Sequence, residues 1–410
     1  RYVDDIPTPA GTLHLAFGLA RIARGHITAM DLAPVRAAPD VVAVLAASDL
    51  ARDADTSPSA HDEPLLSDGS VHFHGQPVFL VIATSHLLAR RAARMAEISY
   101  TEETPILSIE EALAADARFE EGPRVHAKGD AAAAIAGAAH RVEGQIEIGG
   151  QEHFYLEGQA ALALPQEDGD MVVHASTQHP SEVQHKVAHA LGRPMHAVRV
   201  ETRRMGGAFG GKESQANVPA IACAVAADML GRPCKMRYDR DDDMAITGKR
   251  HDFRITYRAG FDGEGRISGV EFVQYTRCGW SQDLSLPVAD RAMLHADNAY
   301  HLPAARIESH RLRTNTASAT AFRGFGGPQG MLGIERVLDH MAHHLGADPL
   351  VIRQRNFYAA SERGGPSAPR PSAPPEDTSG KKKYQTTPKG QQVEDFIHQE
   401  KTEALVASSD

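Results

Sequence analysis

The sequence predicts an α+β fold built from two successive mixed units. Short β-branched runs alternate with amphipathic helical patterns along most of the chain. The length of 410 residues is enough for two or three domains. A hydrophobic content of 42% and a charged content of 23% are typical of a soluble globular protein. We predict a first unit over residues 1–120 and a second over 121–360.

The first unit is predicted from strand and helix patterns. Residues 40–45 and 77–83 are short β-branched runs typical of buried strands. Residues 86–98 carry apolar side chains at helical spacing, which predicts a helix. The remaining predicted elements are a surface loop over 51–70, a strand at 99–101 and a short helix over 109–115.

The second unit follows a predicted linker over residues 115–128. Pro180 stands where a helix begins, and Val183, Val187 and Leu191 form its apolar face. The other predicted elements are helix 130–140, strand 141–148, a polar turn over 149–157, hairpin 159–164 and 171–174, strand 198–202, helix 217–230, strand 235–238, a solvated turn over 239–243, hairpin 253–258 and 267–275, and a helix ending at 345.

Composition changes near the end of the chain. Residues 361–390 are rich in Pro, Ser, Gly, Lys and Thr, which predicts a flexible linker. A helical pattern begins at Val393, and we predict that residues 391–410 start a further domain that is cut short. The chain begins at Arg1 without a methionine, so we expect that its true N-terminus is missing.

Charge and cysteine content disfavour several classes of protein. A net charge of −10 argues against a broad nucleic-acid surface. Cys223, Cys234 and Cys278 form no C-x-x-C pair, which disfavours a disulfide framework or a cysteine zinc site and favours a reducing cytoplasm. No apolar run approaches the roughly 20 residues that span a bilayer. We therefore expect a cytoplasmic protein without nucleic-acid or membrane partners.

Three histidines cluster in sequence near the end of the predicted surface loop. They are His61, His72 and His74. A metal site needs further ligands at fixed spacing, and none is recognisable here. We interpret the three as surface or hydrogen-bonded histidines.

A glycine-rich stretch, Arg204 to Glu213 (RMGGAFGGKE), separates a predicted strand from a predicted helix. Glycine permits positive φ and close approach of the backbone to a ligand. Backbone N–H groups at a helix N-terminus favour anionic or strongly polar ligands. The pattern matches neither the dinucleotide fingerprint nor the P-loop. On pattern alone, a tight structural turn and a ligand-binding loop both remain open.

A second glycine-rich stretch, Thr314 to Gln329, contains another Phe-Gly-Gly and also precedes a predicted helix. Two such loops suggest a common site. The sequence has no G-x-S-x-G, H-E-x-x-H or C-x-x-C motif for direct catalysis. We therefore expect that a bound organic or metal cofactor carries the chemistry and that these loops position it.

Five motifs resemble the molybdenum-binding part of the xanthine dehydrogenase family, within the xanthine oxidase and aldehyde oxidase superfamily. The match is most similar to the separate large subunit of bacterial two-subunit enzymes and extends to about residue 360. The motifs are GGQEHFYLE (149–157), STQ (176–178), RMGGAFGGKE (204–213), DRDDDMAITGKRH (239–251) and TAFRGFGGPQG (320–330). The resemblance implies an N-terminal α/β hammerhead-type domain followed by the first of two molybdopterin-binding domains. The second, with its general-base glutamate, is almost wholly missing.

The resemblance also implies roles for eight residues. Those expected near the molybdenum and its cofactor are Gln178, Phe209, Gly210, Phe322 and Arg323. Of these, Gln178, Phe209 and Arg323 are expected nearest to the metal, which they would approach through the cofactor's ligands or through their own backbone. Those expected to hold a purine are Glu213, Arg291 and Phe325. Gln178, Glu213 and Arg291 are expected to be catalytic.

The residues alone leave other interpretations open. Glu213 would also be favourable in the first turn of the following helix. Arg291 and Gln178 would also be ordinary as exposed polar residues. Two positions depart from the family pattern, because Ala208 replaces a glycine and Ala319 an asparagine. At positive φ, Ala208 would strain its turn.

The implied activity is hydroxylation of hypoxanthine or xanthine toward urate with a water-derived oxygen. The implied cofactors are molybdenum-molybdopterin on this chain and 2Fe-2S and FAD on a partner chain, in a heterotetramer or larger complex. The related aldehyde oxidases usually lack the pair Glu213 and Arg291, which favours a purine over an aldehyde. The alternatives are an aldehyde-oxidase-type hydroxylase and a non-catalytic fragment that only docks a partner or cofactor.

Overall fold

The computed structural model describes residues 1–52, 54–358, 387–388 and 398–409. The strands in these ranges are β1 Leu13–Leu19, β2 Gly25–Asp31, β3 Val41–Ala46, β4 Ser70–Val71, β5 Pro77–Ala83, β6 Glu97–Glu102, β7 Arg124–Lys128, β8 His140–Ile148, β9 Ala160–Pro165, β10 Met171–Ala175, β11 Val198–Glu201, β12 Cys234–Arg237, β13 Asp252–Phe261, β14 Ile267–Gly279 and β15 Ala305–Arg313. The helices are α1 Ala33–Arg36, α2 His86–Ala93, α3 Ile109–Ala114, α4 Ala131–Ala136, α5 Pro180–Leu191, α6 Asn217–Leu230, α7 Arg240–Ile246, α8 Ser285–Leu294, α9 Gly327–Leu345, α10 Pro349–Asn356 and α11 His398–Ser409.

A seven-stranded sheet joins the two predicted units. Its strand order is β11-β10-β9-β12-β1-β5-β3. The junction is the parallel pairing of β1 with β12, in which Leu13 lies opposite Cys234. Helices α5 and α6 cover this sheet, and Val183, Val187 and Ile221 are fully buried in its core. The boundary predicted near residue 120 separates the two units along the chain. In the structure, strands from both units nevertheless form this one sheet.

A five-stranded sheet, in the order β7-β15-β14-β13-β8, lies within the second unit. Helix α9 packs on it through Ile334, Val337 and Met341, all fully buried. A smaller sheet, β4-β2-β6, lies within the first unit. The hairpins predicted over residues 159–174 and 253–275 are confirmed, because β9 with β10 and β13 with β14 pair antiparallel.

Three predictions for local structure were wrong. The helix predicted over 86–98 ends at Ala93, and its last residues form β6, which pairs with β2. The linker predicted over 115–128 contains strand β7. The charge run predicted as a solvated turn over 239–243 opens helix α7, because acidic side chains in a first turn favour the helix dipole.

Other elements were missed or lie outside the described residues. The remaining unpredicted elements are α1, β1, β2, β4, β15, α8 and α10. The predicted linker over 361–390 lies outside the described residues except for 387–388, and the helical pattern expected from Val393 is described only over α11.

Candidate functional site

The first glycine loop is held at its base by a buried charged side chain. Lys212 is fully buried, and its Nζ donates to the Glu157 carbonyl oxygen at 2.7 Å and to Ser176 Oγ at 2.8 Å. The Glu157 carboxylate lies 3.4 Å from the same nitrogen. Burial lowers the pKa of Lys212, and Glu157 raises it against that trend. A buried ion pair, shielded from water, therefore holds the base of this loop in place.

Gln178 lies against the tip of this loop. Its Oε1 accepts a hydrogen bond from Gly210 N at 2.7 Å, and its own N–H donates to the Lys212 carbonyl at 2.8 Å. Phe209 adopts φ 55° and leaves 47% of its surface exposed. The positive φ thus falls on Phe209, whereas Ala208 has no positive φ, so the strain expected at Ala208 does not arise.

The same loop presents backbone donors. Among the described residues, the N–H groups of Gly207, Ala208 and Phe209 have no hydrogen-bond partner. Three adjacent free donors beside an exposed phenylalanine suit an anionic or strongly polar ligand. This arrangement favours a ligand-binding loop over a purely structural turn.

The second glycine loop contacts the first directly. Arg323 N–H donates to the Phe209 carbonyl oxygen at 2.8 Å. A Cβ atom on Gly210 would lie 2.7 Å from the Ala321 carbonyl oxygen, so only glycine fits at this approach. The two loops that sequence analysis placed at a common site are therefore adjacent, and Gln178, Phe209, Gly210 and Arg323 lie together.

Two side chains outside the loops hold Phe322. The Arg250 guanidinium lies 3.9 Å from the centre of the Phe322 ring, and its Nη2 donates to the Arg323 carbonyl at 3.0 Å. The His153 ring also packs against Phe322, with 4.5 Å between the two ring centroids. His153 Nε2 also lies 2.8 Å from the Ala321 carbonyl oxygen.

Phe325 and Arg291 lie where the second loop enters helix α9. Phe325 has φ 51°, and its N–H donates to the Phe322 carbonyl at 2.7 Å. Arg291 is exposed in the last turn of α8. A Cβ atom on Gly327 would lie 3.9 Å from Arg291 Nε, so this side chain borders the loop.

Glu213 is half-buried next to the first loop. Its N–H donates to the Gly210 carbonyl at 3.2 Å. Burial raises the pKa of Glu213, His179 lowers it and Glu182 raises it further. Helix α6 begins only at Asn217, so the interpretation of Glu213 as a first-turn helix residue was wrong. Within the described ranges, no hydrogen bond or ion pair joins Glu213 to Arg291.

Sequence reasoning missed the residues that support the site. Lys212 and Glu157 lay within quoted motifs, but lysine and glutamate are usually exposed. Arg250 and His153 also lay within these motifs. Their contacts with Phe322 join distant parts of the chain, which local spacing does not predict.

The histidine cluster is dispersed in the structure. His61 lies 3.1 Å from Asp55 through Nδ1, whereas His72 stacks on Trp280 with a centroid distance of 4.9 Å. In the described part of the chain, no group of three His, Cys, Asp or Glu side chains could hold a metal ion. The three cysteines are buried and are not disulfide-bonded.

A cavity of about 480 Å³ is lined among others by Arg24, His72 and Trp280, and by Thr314 and Asn315 at the start of the second glycine-rich stretch. It contains none of the eight predicted site residues. None of the helices in the described residues has the length and apolar character needed to cross a membrane.

Comparisons with known proteins agree with this geometry. A family profile described as "Molybdopterin cofactor-binding domain" matches residues 117–357. A second, "Aldehyde oxidase and xanthine dehydrogenase, a/b hammerhead domain", matches residues 1–104. Xanthine dehydrogenase of Drosophila subobscura is 42% identical over 363 residues, which cover 88% of this chain and 27% of that protein. Xanthine dehydrogenase of Oryza sativa subsp. japonica is 41% identical over 87% of this chain and 26% of its own length.

Solved structures show the same fold. Aldehyde oxidoreductase of Desulfovibrio gigas matches with a TM-score of 0.86 and 27% identity, over 100% of this chain and 44% of that chain. Quinoline 2-oxidoreductase of Pseudomonas putida 86 matches with a TM-score of 0.77 and 27% identity, over 88% of this chain and 48% of that chain. The chain spans about a quarter of the length of the xanthine dehydrogenases it resembles. It combines a hammerhead domain with a cofactor-binding domain, and it belongs to the molybdopterin cofactor-binding domain family.

Proposed function

We propose that this chain is the molybdenum-cofactor-binding part of a xanthine dehydrogenase that hydroxylates hypoxanthine or xanthine toward urate. Electrons would leave through 2Fe-2S and FAD groups on a partner subunit, as in bacterial two-subunit enzymes. The observation that carries the proposal is the backbone hydrogen bond from Arg323 to Phe209, which brings the two glycine loops of a molybdopterin-binding domain to one face.

The residues at this face fit an anionic pterin cofactor. The free N–H groups of Gly207, Ala208 and Phe209 would donate hydrogen bonds to its negatively charged groups. Beside them, Arg250 Nη1 and His153 Nδ1 are buried without a hydrogen-bond partner among the described residues. Buried polar atoms of this kind usually find partners, and a bound cofactor would supply them.

When bound, the molybdenum cofactor supplies the redox chemistry that oxidises the purine carbon. The protein's contribution is position and electrostatics. Gln178 accepts the Gly210 N–H and would so fix the loop tip beside the cofactor. Arg323 is exposed at the same face and would add a positive charge.

Three further residues would bind the purine. Negative charge builds on the heterocycle as its carbon is hydroxylated, and the Arg291 guanidinium would stabilise that charge in the transition state. Burial raises the pKa of Glu213, so its carboxyl group holds a proton more readily and could donate to a purine nitrogen. Phe325 would pack against the flat ring. The absence of a direct Glu213–Arg291 contact in the described residues is compatible with a substrate between them.

Two alternatives remain as competing functions. An aldehyde-oxidase-type hydroxylase is favoured by the likeness to the Desulfovibrio gigas aldehyde oxidoreductase. The other alternative is a non-catalytic scaffold that binds the cofactor or a partner without turnover of its own.

The test measures cofactor loading and substrate preference. Molybdenum is quantified by elemental mass spectrometry, and released pterin by fluorescence, for the chain alone and co-expressed with an Fe-S/FAD subunit. Loaded protein that reduces an electron acceptor with xanthine, and loses at least about tenfold in kcat/KM in Glu213→Gln and Arg291→Met, supports the proposal. Turnover of aldehydes but not purines supports the first alternative. Full loading without turnover in a complex with every cofactor supports the scaffold.

A further inference from the structure

Four charged side chains form a closed ring of ion pairs beside helix α8. The Arg311 side chain is 1% exposed, and it donates to Asp290 Oδ1 at 2.5 Å and to Glu120 Oε2 at 2.7 Å. Arg124 donates to Asp290 Oδ2 at 2.6 Å and, through its Nε, to Glu120 Oε1 at 3.0 Å. Each carboxylate is therefore shared by both guanidinium groups. We call these four residues the ion-pair ring.

The ion-pair ring joins segments that are far apart in the chain. Glu120 lies in the connection between the two predicted units, Arg124 begins strand β7, and Arg311 lies in strand β15. The Phe119 N–H also donates to the Arg311 carbonyl oxygen at 3.1 Å, which holds this connection against β15. Asp290 is the member that lies in helix α8. Through Asp290, the ring therefore fastens helix α8 to the five-stranded sheet.

The residue after Asp290 is Arg291, which is expected to stabilise negative charge on the purine. Consecutive residues of an α-helix project about 100° apart around its axis. Because Asp290 is turned towards the sheet, Arg291 is turned towards the neighbouring side of α8. That side borders the second glycine loop, since a Cβ atom on Gly327 would lie 3.9 Å from Arg291 Nε. The direction in which Arg291 leaves the helix is therefore linked to the place of Asp290.

Packing and charge hold helix α8 in different ways. Gly326 and Gly330 allow close approach to the backbone of α8 at Val288 and Ala292. Such packing sets how near the two segments lie. The hydrogen-bonded ion pairs of Asp290 also set a direction, because hydrogen bonds weaken steeply away from linear geometry. Two guanidinium groups that hold one carboxylate therefore restrict rotation of the helix about its axis.

We propose that Asp290 is a positioning residue that fixes the rotation of helix α8 and so directs Arg291 towards the second glycine loop. An aspartate suits this role because its two oxygens accept from two guanidinium groups at once. An asparagine in its place would present an N–H group, which cannot accept, to one of the two arginines. The fixing of the helix is a property of this chain, and only the action of Arg291 on a purine rests on the proposed function.

The first test is hydrogen exchange, followed by mass spectrometry, of the full chain in a peptide that covers residues 284–295. Asp290→Asn is expected to raise exchange in this peptide about tenfold, because the helix loses charge-assisted hydrogen bonds to the sheet. Asp339→Asn is the matched control, since it removes a 2.9 Å ion pair with Arg353 from helix α9. This control is expected to leave exchange in residues 284–295 unchanged.

The second test is a double-mutant cycle in the cofactor-loaded complex with its Fe-S/FAD subunit. Asp290→Asn is expected to lower kcat/KM for xanthine, expressed per molybdenum, about tenfold, because Arg291 is displaced from the substrate. When Arg291→Met is already present, the same change is expected to cost less than about twofold, since no guanidinium is left to direct. An equal loss in both backgrounds would show a role in stability alone and would overturn the proposal.

The exchange measurement can also overturn the proposal without any cofactor. Unchanged exchange in residues 284–295 would do so, and so would an equal rise with Asp339→Asn. Should Asp290→Asn fail to fold, Arg124→Gln replaces it, because the Arg124 side chain is 44% exposed and Asp290 keeps its contact with Arg311. A smaller rise in the same peptide is then expected, and no rise would overturn the proposal. If the loaded wild-type complex turns over no purine, the proposed function fails, and exchange alone decides whether Asp290 fixes helix α8.

Discussion

The two glycine loops share a conformation but are held in different ways. Phe209 and Phe325 both adopt left-handed backbone, with φ 55° and 51°, and the glycine after each has φ 102° and 89°. The first loop rests on the buried Lys212 ammonium group. The second packs Gly326 against the backbone of helix α8, where a Cβ atom would lie 2.0 Å from the Val288 carbonyl oxygen. Helix α9 continues this close approach, because a Cβ atom on Gly330 would lie 2.1 Å from the Ala292 carbonyl oxygen.

The same local motif is therefore held by two kinds of force. The first loop depends on charge, because its anchor loses most of its stabilisation once either charged partner is removed. The second loop depends on the small size of glycine, because two backbones approach each other so closely that no side chain fits between them. Substitutions that change charge and substitutions that change size should therefore act on different loops.

The largest effect is expected from Lys212→Met. It leaves the Glu157 carboxylate, whose side chain is 9% exposed, without its cation. Removing one partner of a buried pair costs about 3–5 kcal/mol. The free energy of unfolding, measured by denaturant titration, should fall by this amount. The double variant Lys212→Met with Glu157→Gln should recover part of the loss. A loss below about 1 kcal/mol in the single variant would show that charge does not anchor this loop.

The next effect is expected from Gly330→Ala in helix α9. In an open helix this change stabilises by about 1 kcal/mol. Here the new methyl group would meet the Ala292 carbonyl, and overpacking should destabilise by about 2 kcal/mol. Gly333→Ala in the same helix is the control, because its Cβ would meet only side-chain atoms of Ile255 and Phe272 at 3.3 Å or more. Equal effects of both substitutions, measured by denaturant titration, would contradict the size argument.

Local sequence predicted the loops but not their supports. Phe-Gly-Gly followed by helical periodicity is a local signal, and it placed both loops and the helices after them. The burial of Lys212 could not be predicted, because lysine is mostly exposed and its partners lie in other segments. The pairing of β1 with β12 was missed for the same reason, since it joins strands far apart in the chain.

The candidate site was predicted in part. The family resemblance predicted that five residues lie near the cofactor, and the structure places them close together. They are Gln178, Phe209, Gly210, Phe322 and Arg323. The roles of Glu213, Arg291 and Phe325 remain predictions, because a substrate would have to lie between them.

A smaller effect is expected from Glu63, which lies near two other acids, Asp62 and Asp283, and it depends on pH. Burial, with Asp283 and Asp62 nearby, raises the pKa of Glu63 to about 8, and Asp55 adds to the same effect. A raised carboxyl pKa stabilises the fold below the group's ordinary value, and this contribution is lost as pH rises through 8. Between pH 6.5 and 8, the free energy of unfolding should fall by about 1.4 kcal/mol per pH unit more than in Glu63→Gln.

The measurement is a series of denaturant titrations of both proteins across that pH range. Histidines whose pKa is lowered by burial, such as His251 with a pKa of about 3, affect stability only below their ordinary value. Their contribution is common to both proteins and cancels in the difference. Parallel pH profiles would show that Glu63 is not protonated in the folded protein in this pH range.

The smallest effect is expected from Gln178→Ala. The substitution removes the acceptor of the Gly210 N–H, but Gln178 is exposed, so water can replace the lost hydrogen bond. The free energy of unfolding should fall by about 0.5–1 kcal/mol in denaturant titration. Gln166→Ala, which removes an exposed glutamine bonded only to carbonyls of its own strand, is the control. If Gln178→Ala lowered the free energy of unfolding as much as Lys212→Met, the hydrogen bond at the tip of the first loop would hold it as strongly as the buried ion pair does. The contrast between a first loop held by charge and a second loop held by close backbone packing would then not stand.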